Sequence, residues 1–393
     1  MFSHRFPESF EPTRFARRLA ARRREGAFLL DLTESNPTRV GLGDYVDPAA
    51  WAQLADAGAR VYEPEPAGLL AAREAVATYH ADRGASVPPG QVVLTASTSE
   101  AYAHLFRLLC DPGDAVLVAR PSYPLFEPLA AAEGVHLLHY PLRYRDGAWR
   151  LDAAELHAAL RGSGSRVRAV VVVQPNNPTG SFLDEAEAQT VVGVCGANGV
   201  ALIADEVFGD FRRPGQASSA RATFAGEEAV LTFVLSGLSK TCGLPQLKLG
   251  WIAASGPTAA RDAALERLHW LADSFLSVGT PVQRALTALL AGRGQFQEAV
   301  RQRLEANRAL LATTAAGLSG VHLLAGNGGW NAVIDLPAVR SEEEWALALL
   351  EHDVIVHPGF YYEFEAGPTL VLSLLPEPAL FARALAVLGE LAR

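Results

Sequence analysis

The sequence predicts an α/β fold, with a mostly parallel central sheet in a large domain and a second, smaller α+β domain. Short apolar runs alternate with helical patterns from about residue 68 onward. β-branched runs of this kind are typical of strands buried on both faces, and intervening helices indicate parallel strands joined by right-handed crossovers. After Gly250 the pattern is mainly helical until shorter strand patterns return, which indicates the smaller domain.

The individual elements follow from these patterns. The predicted strands of the large sheet cover residues 91–95, 115–119, 167–173, 200–204 and 231–235. Shorter strands are expected at residues 330–335 and 369–373, and helices at 14–24, 68–82, 99–110 and 304–318. The predicted division is an N-terminal segment 1–45 that joins the small domain, a large domain 46–275 and a small domain 276–393.

Composition excludes several classes of protein. The 393 residues are 49% hydrophobic with a net charge of −9, which argues against a nucleic-acid or anionic-membrane partner. No apolar run reaches the roughly 20 residues that span a bilayer, and the N-terminus lacks a signal-peptide pattern. The 3 cysteines are too few for a disulfide framework. We therefore expect a cytoplasmic enzyme.

Lysine is almost absent from this chain. Of the 34 basic residues, only Lys240 and Lys248 are lysines, and the others are arginines. An arginine stays protonated at physiological pH, whereas a lysine amine of lowered pKa attacks carbonyl carbons. The two lysines therefore predict that at least one is a covalent catalyst.

Polar and turn-forming segments follow the predicted strands. In α/β sheets, ligands bind beyond the carboxyl ends of the strands. The segments at these ends read TASTSEA, RPSYPLF, QPNNPTG, ADEVFGDF and SGLSK. The sequence therefore predicts a site at this edge of the sheet.

These segments resemble, in order and spacing, the motifs of the class I/II aminotransferases among the fold-type I pyridoxal-phosphate enzymes. The resemblance extends from about residue 31 to residue 373. It implies a pyridoxal 5'-phosphate cofactor and transfer of an amino group between an amino acid or amine and a 2-oxo acid. A small-molecule amino donor and a keto-acid acceptor are the expected partners.

Three residues match the family's central positions. Lys240 matches the lysine that forms the Schiff base and then moves the proton, and Asp205 matches the carboxylate that pairs with the pyridinium nitrogen. Asn177 matches the asparagine that hydrogen-bonds the phenolic oxygen of the cofactor. Taken without this context, Asp205 would be an ordinary strand-end residue and the NNPTG segment a plain turn.

The resemblance also implies a phosphate site. Ser97, Thr98 and Ser99 stand at a predicted helix start, where N–H groups and hydroxyls favour a dianion, although a plain N-cap explains them as well. Lys248 stands where the family has a phosphate-binding arginine. Ser239, directly before the Schiff-base lysine, is included among the expected cofactor residues.

Two tyrosines complete the expected cofactor site. Tyr123 matches the aromatic residue that stacks on the cofactor ring, and a buried packing role is its alternative. Tyr62 matches a tyrosine that reaches the phosphate of the neighbouring subunit in the family. The resemblance therefore implies a homodimer.

The sequence also departs from the family pattern. Phe208 replaces the usual tyrosine that hydrogen-bonds the phenolic oxygen, and Val371 replaces the arginine that holds the substrate carboxylate. Arg39 is the candidate replacement, with a solvent-facing loop arginine as the alternative. Asn36 is expected either to bind substrate or to cap a turn. The aromatic residues near position 360 either wall a substrate pocket or pack in the core.

Other classes of enzyme fit less well. The sequence lacks a P-loop, a zinc motif and a nicotinamide-type glycine fingerprint after the first strand. Within the resembled fold, a C–S lyase that performs β-elimination is the alternative to an aminotransferase. A regulatory protein without turnover is disfavoured because Lys240, Asp205 and Asn177 are all present.

Overall fold

Helices and strands alternate along a computed structural model that describes residues 2–7, 9–162, 166–215 and 220–393. Within these ranges the α-helices are α1 (Arg14–Arg24), α2 (Pro48–Ala52), α3 (Leu70–Asp82), α4 (Thr98–Leu109), α5 (Phe126–Glu133), α6 (Ala153–Arg161), α7 (Glu185–Asn198), α8 (Leu238–Thr241), α9 (Thr258–Asp273), α10 (Thr280–Ala291), α11 (Arg293–Ala316), α12 (Glu342–Glu351) and α13 (Pro378–Leu391). None of these described helices combines the length and apolar character that crossing a membrane requires.

The strands fall into a large sheet and smaller ones. They are β1 (Leu30–Asp31), β2 (Val92–Thr95), β3 (Ala115–Arg120), β4 (His136–Arg145), β5 (Ala148–Leu151), β6 (Val167–Val173), β7 (Ala201–Asp205), β8 (Thr232–Gly237), β9 (Gly250–Ser255), β10 (His322–Leu324), β11 (Asn331–Asp335), β12 (Val354–Ile355), β13 (His357–Pro358) and β14 (Thr369–Ser373).

The large sheet has the order β2-β9-β8-β7-β6-β3-β4-β5 in the described part of the chain. The five strands from β8 to β4 pair in parallel, while β9 runs antiparallel to both β8 and β2, and β5 runs antiparallel to β4. This confirms the predicted mostly parallel sheet. Strands β4, β5 and β9 were not predicted from the sequence.

Both faces of the large sheet are buried, which explains the continuous apolar runs. In β3, Val116 and Val118 pack in one apolar cluster, while Leu117 and Ala119 pack in another. Successive side chains of a strand point to opposite faces. A strand covered by helices on both sides therefore needs apolar residues at every position.

The smaller lobe is built on an antiparallel sheet of order β10-β11-β14-β13. Phe15 and Leu32 share its apolar core with Trp345 and Phe381, and β1 pairs in parallel with β12. The N-terminal segment therefore packs with the smaller lobe. The apolar side chains of α10 lie in the larger core, although the sequence assigned residues 276–393 to the small domain. The division into domains stays a prediction.

The parallel strands end at the same level. Val173 of β6 stands opposite Asp205 of β7, which stands opposite Leu235 of β8. The loop after β6 and the turn into α8 therefore leave the sheet at one edge. This register brings together segments that lie about 30 residues apart in sequence.

A buried ion pair anchors the turn after β7. Glu206, fully buried, accepts a hydrogen bond from the Arg83 guanidinium at 2.9 Å and another from the backbone N–H of Phe224 at 2.7 Å. Burial raises the pKa of Glu206, and the Arg83 charge opposes that effect. The neighbouring Asp205 has different partners, so the two adjacent carboxylates have separate environments.

We predict that Arg83→Met destabilises the protein, because it leaves the Glu206 carboxylate buried without its cation. Removing one partner of a buried pair typically costs about 3–5 kcal/mol. The matched control is Arg150→Met, which removes an exposed pair with Asp184 that contributes about 0–1 kcal/mol. Calorimetry should show a clear drop in melting temperature for Arg83→Met only. Equal melting temperatures for the two variants would contradict this account.

Candidate active site

The amine of Lys240 lies in an aromatic environment at the carboxyl edge of the sheet. The chain leaves β8 at Gly237 and turns directly into the short helix α8, which carries this lysine. Its Nζ atom lies 4.7 Å from the ring centroid of Trp330 and 5.4 Å from that of Phe208. Burial lowers the pKa of Lys240 to about 8, and the negative charge of Glu34 partly opposes this effect. At neutral pH the neutral, nucleophilic fraction of this amine is therefore far larger than that of a solvated lysine.

Asp205 ends the neighbouring strand β7 as a buried carboxylate. Tyr102 donates its hydroxyl proton to Oδ2 at 3.0 Å, and the backbone N–H of Val207 donates to Oδ1 at 3.0 Å. Burial raises the pKa of Asp205 to about 6, against the effect of these two hydrogen bonds. The group is mostly ionised at neutral pH, yet it lacks the stabilisation of bulk water. It therefore suits a buried cationic partner.

Asn177 lies in the loop that follows β6. Its Oδ1 atom accepts a hydrogen bond from Nδ2 of Asn331, the first residue of β11, at 2.8 Å. This contact joins the edge of the large sheet to the small sheet. It leaves the NH₂ group of Asn177 as a donor, with no acceptor for it among the described residues.

The N-terminus of α4 meets the start of β9. Ser97 caps the helix, since its Oγ atom accepts a hydrogen bond from the N–H of Glu100 at 3.1 Å, and Thr98 and Ser99 form the first turn. A Cβ atom on Gly250 would lie 3.2 Å from the Ser97 carbonyl carbon, so the glycine allows the two backbones to approach closely. Lys248, an exposed residue, is two positions before Gly250. A cation and a helix N-terminus thus lie on adjoining segments, which suits an anion.

The other predicted cofactor residues differ in how far their side chains are exposed to solvent. Ser239 precedes Lys240 within α8 and is partly buried. Tyr123 is 43% exposed in the loop after β3, and burial together with the charge of Asp205 raises its pKa. Tyr62 is 78% exposed. Tyr123 is therefore accessible near the site, whereas Tyr62 is largely exposed on the surface of the chain.

The two replacements noted in the sequence lie in apolar surroundings. Phe208 is buried and its ring centroid lies 5.3 Å from that of Trp330. Val371 is buried in β14, directly between Val333 and His357 of the adjacent strands. Neither replacement can donate a hydrogen bond from its side chain. At these two positions the site therefore lacks both the phenol and the guanidinium of the resembled pattern.

The N-terminal loop carries the remaining predicted residues. The Arg39 side chain is 74% exposed, and its Nη1 atom lies 3.6 Å from Oε2 of Glu34. The Asn36 side chain accepts hydrogen bonds from the N–H and the hydroxyl of Thr38, at 3.1 and 2.8 Å. The turn-cap interpretation of Asn36 thus matches its contacts. The loop is held to the small sheet because Ser373 donates its hydroxyl proton to the Glu34 carbonyl at 2.7 Å.

Sequence reasoning missed four residues of the site, namely Tyr102, Trp330, Asn331 and Glu34. Tyr102 reaches Asp205 across 103 positions of sequence, so no local pattern could reveal the contact. Trp330 and Asn331 immediately follow two glycines before a predicted strand. The pair of glycines was the available signal, because glycines before a strand often mark a place where two backbone segments approach closely.

The donor set fits pyridoxal phosphate. The aldehyde of that cofactor needs a neutral amine, its ring nitrogen needs a buried carboxylate, and its phosphate needs N–H donors and a cation. Lys240, Asp205 and the N-terminus of α4 offer these three features. The arrangement can therefore hold a carbonyl compound covalently while it stabilises a cationic ring.

Comparison with known families gives one extensive match. The sequence model described as "Aminotransferase class I and II" matches residues 34–373. The match contains all the segments that form the site at the carboxyl edge of the large sheet.

Individual relatives share moderate identity. The arginine–pyruvate transaminase AruH of Pseudomonas aeruginosa is 30% identical over 366 residues, which cover 91% of this chain and 88% of that protein. The glutamate–pyruvate aminotransferase AlaA of Haemophilus influenzae is 28% identical over 232 residues, covering 59% of this chain and 56% of its own length. The solved structure of the alanine aminotransferase from Pyrococcus furiosus superposes with a TM-score of 0.86 at 21% identity, covering 97% of this chain and 99% of that one. At 21% identity, the structural similarity to this alanine aminotransferase shows that the two chains share a fold.

Proposed function

The chain belongs to the class I and II aminotransferases, and we propose that Lys240 is the residue on which its catalysis depends. The protein is a pyridoxal-phosphate-dependent enzyme that moves an amino group between an amino acid or amine and a 2-oxo acid. The observation that carries the proposal is the lowered pKa of the Lys240 amine, beside a strand that ends in the buried Asp205 carboxylate. An amine that is partly neutral at working pH can both attack a carbonyl carbon and take up a proton.

Three residues would act on the cofactor's reactive part. Pyridoxal phosphate supplies an aldehyde that takes up the amino group and a ring that accepts electrons. Lys240 would hold the aldehyde covalently, and after its displacement by the donor amine it would carry the proton. Asp205 would keep the ring nitrogen protonated, because its buried carboxylate gains from a cationic partner. Asn177 would donate its free NH₂ to the phenolic oxygen.

The phosphate and ring would be held by a second group of residues. N–H groups at the start of α4, the hydroxyls of Ser97 and Ser99 and the Lys248 ammonium would bind the phosphate. Tyr123, with its exposed ring, would stack on the cofactor. Tyr62 is largely exposed on the surface of the chain, which supports a homodimer in which it reaches the phosphate of the partner subunit.

Substrate recognition would rely on the N-terminal loop. Val371 is buried and uncharged, so the substrate carboxylate needs another cation. Arg39 is exposed, and the Glu34 carboxylate is 3.6 Å away, which leaves the guanidinium able to exchange partners. Both curated relatives described above are named for pyruvate, which supports a small 2-oxo acid as acceptor.

A β-elimination lyase of the same fold is not favoured. The relatives and the solved structure described above are aminotransferases. The residues that would serve elimination are the same Lys240 and Asp205, so geometry does not favour the lyase either.

The cysteines support the cytoplasmic location that we propose. Cys110, Cys195 and Cys242 are all free thiols. Burial raises the pKa of Cys195 to about 12, which keeps this thiol protonated and unreactive. Such thiols suit a reducing compartment.

The two lysines of the chain allow a direct test of the assignment. We predict that Lys240→Ala abolishes the visible absorption band of the covalently bound cofactor, because the amine is absent. Lys248→Ala is the matched control and should keep the band while it weakens cofactor retention. Spectra of both purified variants with added pyridoxal phosphate measure this. A band of undiminished strength in Lys240→Ala would overturn the assignment.

The pKa of Lys240 predicts how cofactor capture depends on pH. Its value is lowered to about 8, so the amine is mainly protonated below pH 8 and neutral above it. The rate at which cofactor-free enzyme captures pyridoxal phosphate should therefore rise about tenfold per pH unit up to about pH 7.5 and level off above about pH 8.5. Stopped-flow absorbance measures the rate. A rate that keeps rising to pH 10 would show an ordinary, solvated lysine.

We predict that Arg39→Ala raises the KM for a carboxylate-bearing donor by about 10- to 100-fold, the usual effect of losing a charged hydrogen bond. The value of kcat should change less, because the lost contact is not confined to the transition state. Arg150→Ala, another exposed arginine with one carboxylate neighbour, is the control. An unchanged KM would return Arg39 to the role of a solvent-facing loop residue.

A further inference from the structure

Asn331 is a polar residue in the site that the family resemblance does not explain. Its Nδ2 atom donates to Oδ1 of Asn177 at 2.8 Å. The bond crosses between the small sheet and the loop after β6. It determines which end of the Asn177 amide faces the rest of the site, because the oxygen is occupied and the NH₂ group is left over.

The position of Asn331 relates it to the missing arginine. Asn331 stands opposite Ser373 in the pairing of β11 with β14, and Val371 is two residues before Ser373 in the same strand. Residues directly opposite each other, and residues two apart in a strand, share one face of a sheet. The Asn331 side chain therefore lies on the same face of the small sheet as Val371.

The backbone of Asn331 is held firmly. Trp330 packs against both Phe208 and Phe211, with ring centroids 5.3 and 5.1 Å away. The carbonyl oxygen of Asn331 faces the buried Arg308, whose Nη2 atom donates to it at 3.5 Å. These contacts and the strand pairing position the backbone of Asn331, so that its side chain starts from a fixed point beside Asn177.

The orientation of the Asn177 side-chain amide is important because few other groups in the site can hydrogen-bond the phenolic oxygen. Phe208 cannot donate a hydrogen bond to the phenolic oxygen, and Val371 cannot orient a neighbouring amide. Of the two described side chains at positions that contact this oxygen in the family, Asn177 and Phe208, Asn177 is the one that can donate a hydrogen bond to it. An unrestrained amide could rotate and present its oxygen instead, which would repel an anion.

We propose that Asn331 is a positioning residue that holds the Asn177 amide with its NH₂ group toward the phenolic oxygen of the cofactor. This inference rests on the proposed function. Asn331 thereby supplies a neutral hydrogen-bond donor on the face of the sheet where Val371 leaves none.

The test is a pH titration of the visible absorption band in the cofactor-loaded enzyme. A donor held against the phenolic oxygen stabilises its negative charge, which lowers the pH at which the bound cofactor loses its proton. Asn331→Ala and the more nearly isosteric Asn331→Leu should therefore raise the midpoint by about 0.5–1 pH unit, the usual effect of one hydrogen bond. Asn177→Ala should raise it at least as much.

A double variant shows whether Asn331 acts through Asn177. Asn331→Ala combined with Asn177→Ala should have the midpoint of Asn177→Ala alone, because the two residues work as one unit. Additive shifts would overturn the proposal, as would Asn331 variants that titrate like the unaltered enzyme. A purely structural role would lower the melting temperature and leave the midpoint in place. If the proposed function itself failed, the unaltered enzyme would have no titrating band at all.

Discussion

The parallel register of three strands is the constraint on which the site depends. Because Val173, Asp205 and Leu235 stand level in β6, β7 and β8, the segments that follow them leave the sheet at one edge. Asp205 is itself a strand end, and Lys240 follows Leu235 by five residues. A shift of one residue in this pairing would turn every side chain of a strand to the opposite face. Such a shift would disturb the apolar packing on both faces of the sheet, so the packing of the core also fixes the positions of the site residues.

Burial shifts the pKa values of the two ionisable groups at this edge in opposite directions. It lowers the pKa of the Lys240 amine and raises that of the Asp205 carboxylate, which in both cases disfavours the charged form. A cofactor with an electrophilic carbon and a cationic ring relieves both effects at once. The aromatic rings of Phe208 and Trp330 lie beside the amine. On the small sheet, Val371 and the Asn331–Asn177 contact contribute no charge to the site.

Much of this arrangement is predictable from sequence because its signals are local. Each buried strand is a continuous apolar run, and Asp205 ends such a run. The scarcity of lysine by itself indicates that Lys240 or Lys248 is a candidate covalent catalyst. The roles assigned to the site residues all stay predictions, those of Lys240, Asp205 and Asn177 included.

The missed features depend on contacts between distant segments. The antiparallel strand β9 lies between β8 and β2, a position that depends on pairing across the whole sheet. Tyr102 lies in the middle of a helix, and its hydroxyl meets Asp205 from another layer of the fold. Asn331 acquires its partner only when the small sheet packs on the large one.

The most direct test of the account is the visible spectrum of the cofactor-loaded enzyme during each half of the reaction. Addition of an amino donor alone should bleach the visible band as the amino group moves to the cofactor, and subsequent addition of pyruvate should restore it. Full reversibility is the result that we expect from an aminotransferase whose Lys240 returns to the cofactor. A band that persists while the donor releases ammonia and a 2-oxo acid would contradict the account and indicate elimination instead.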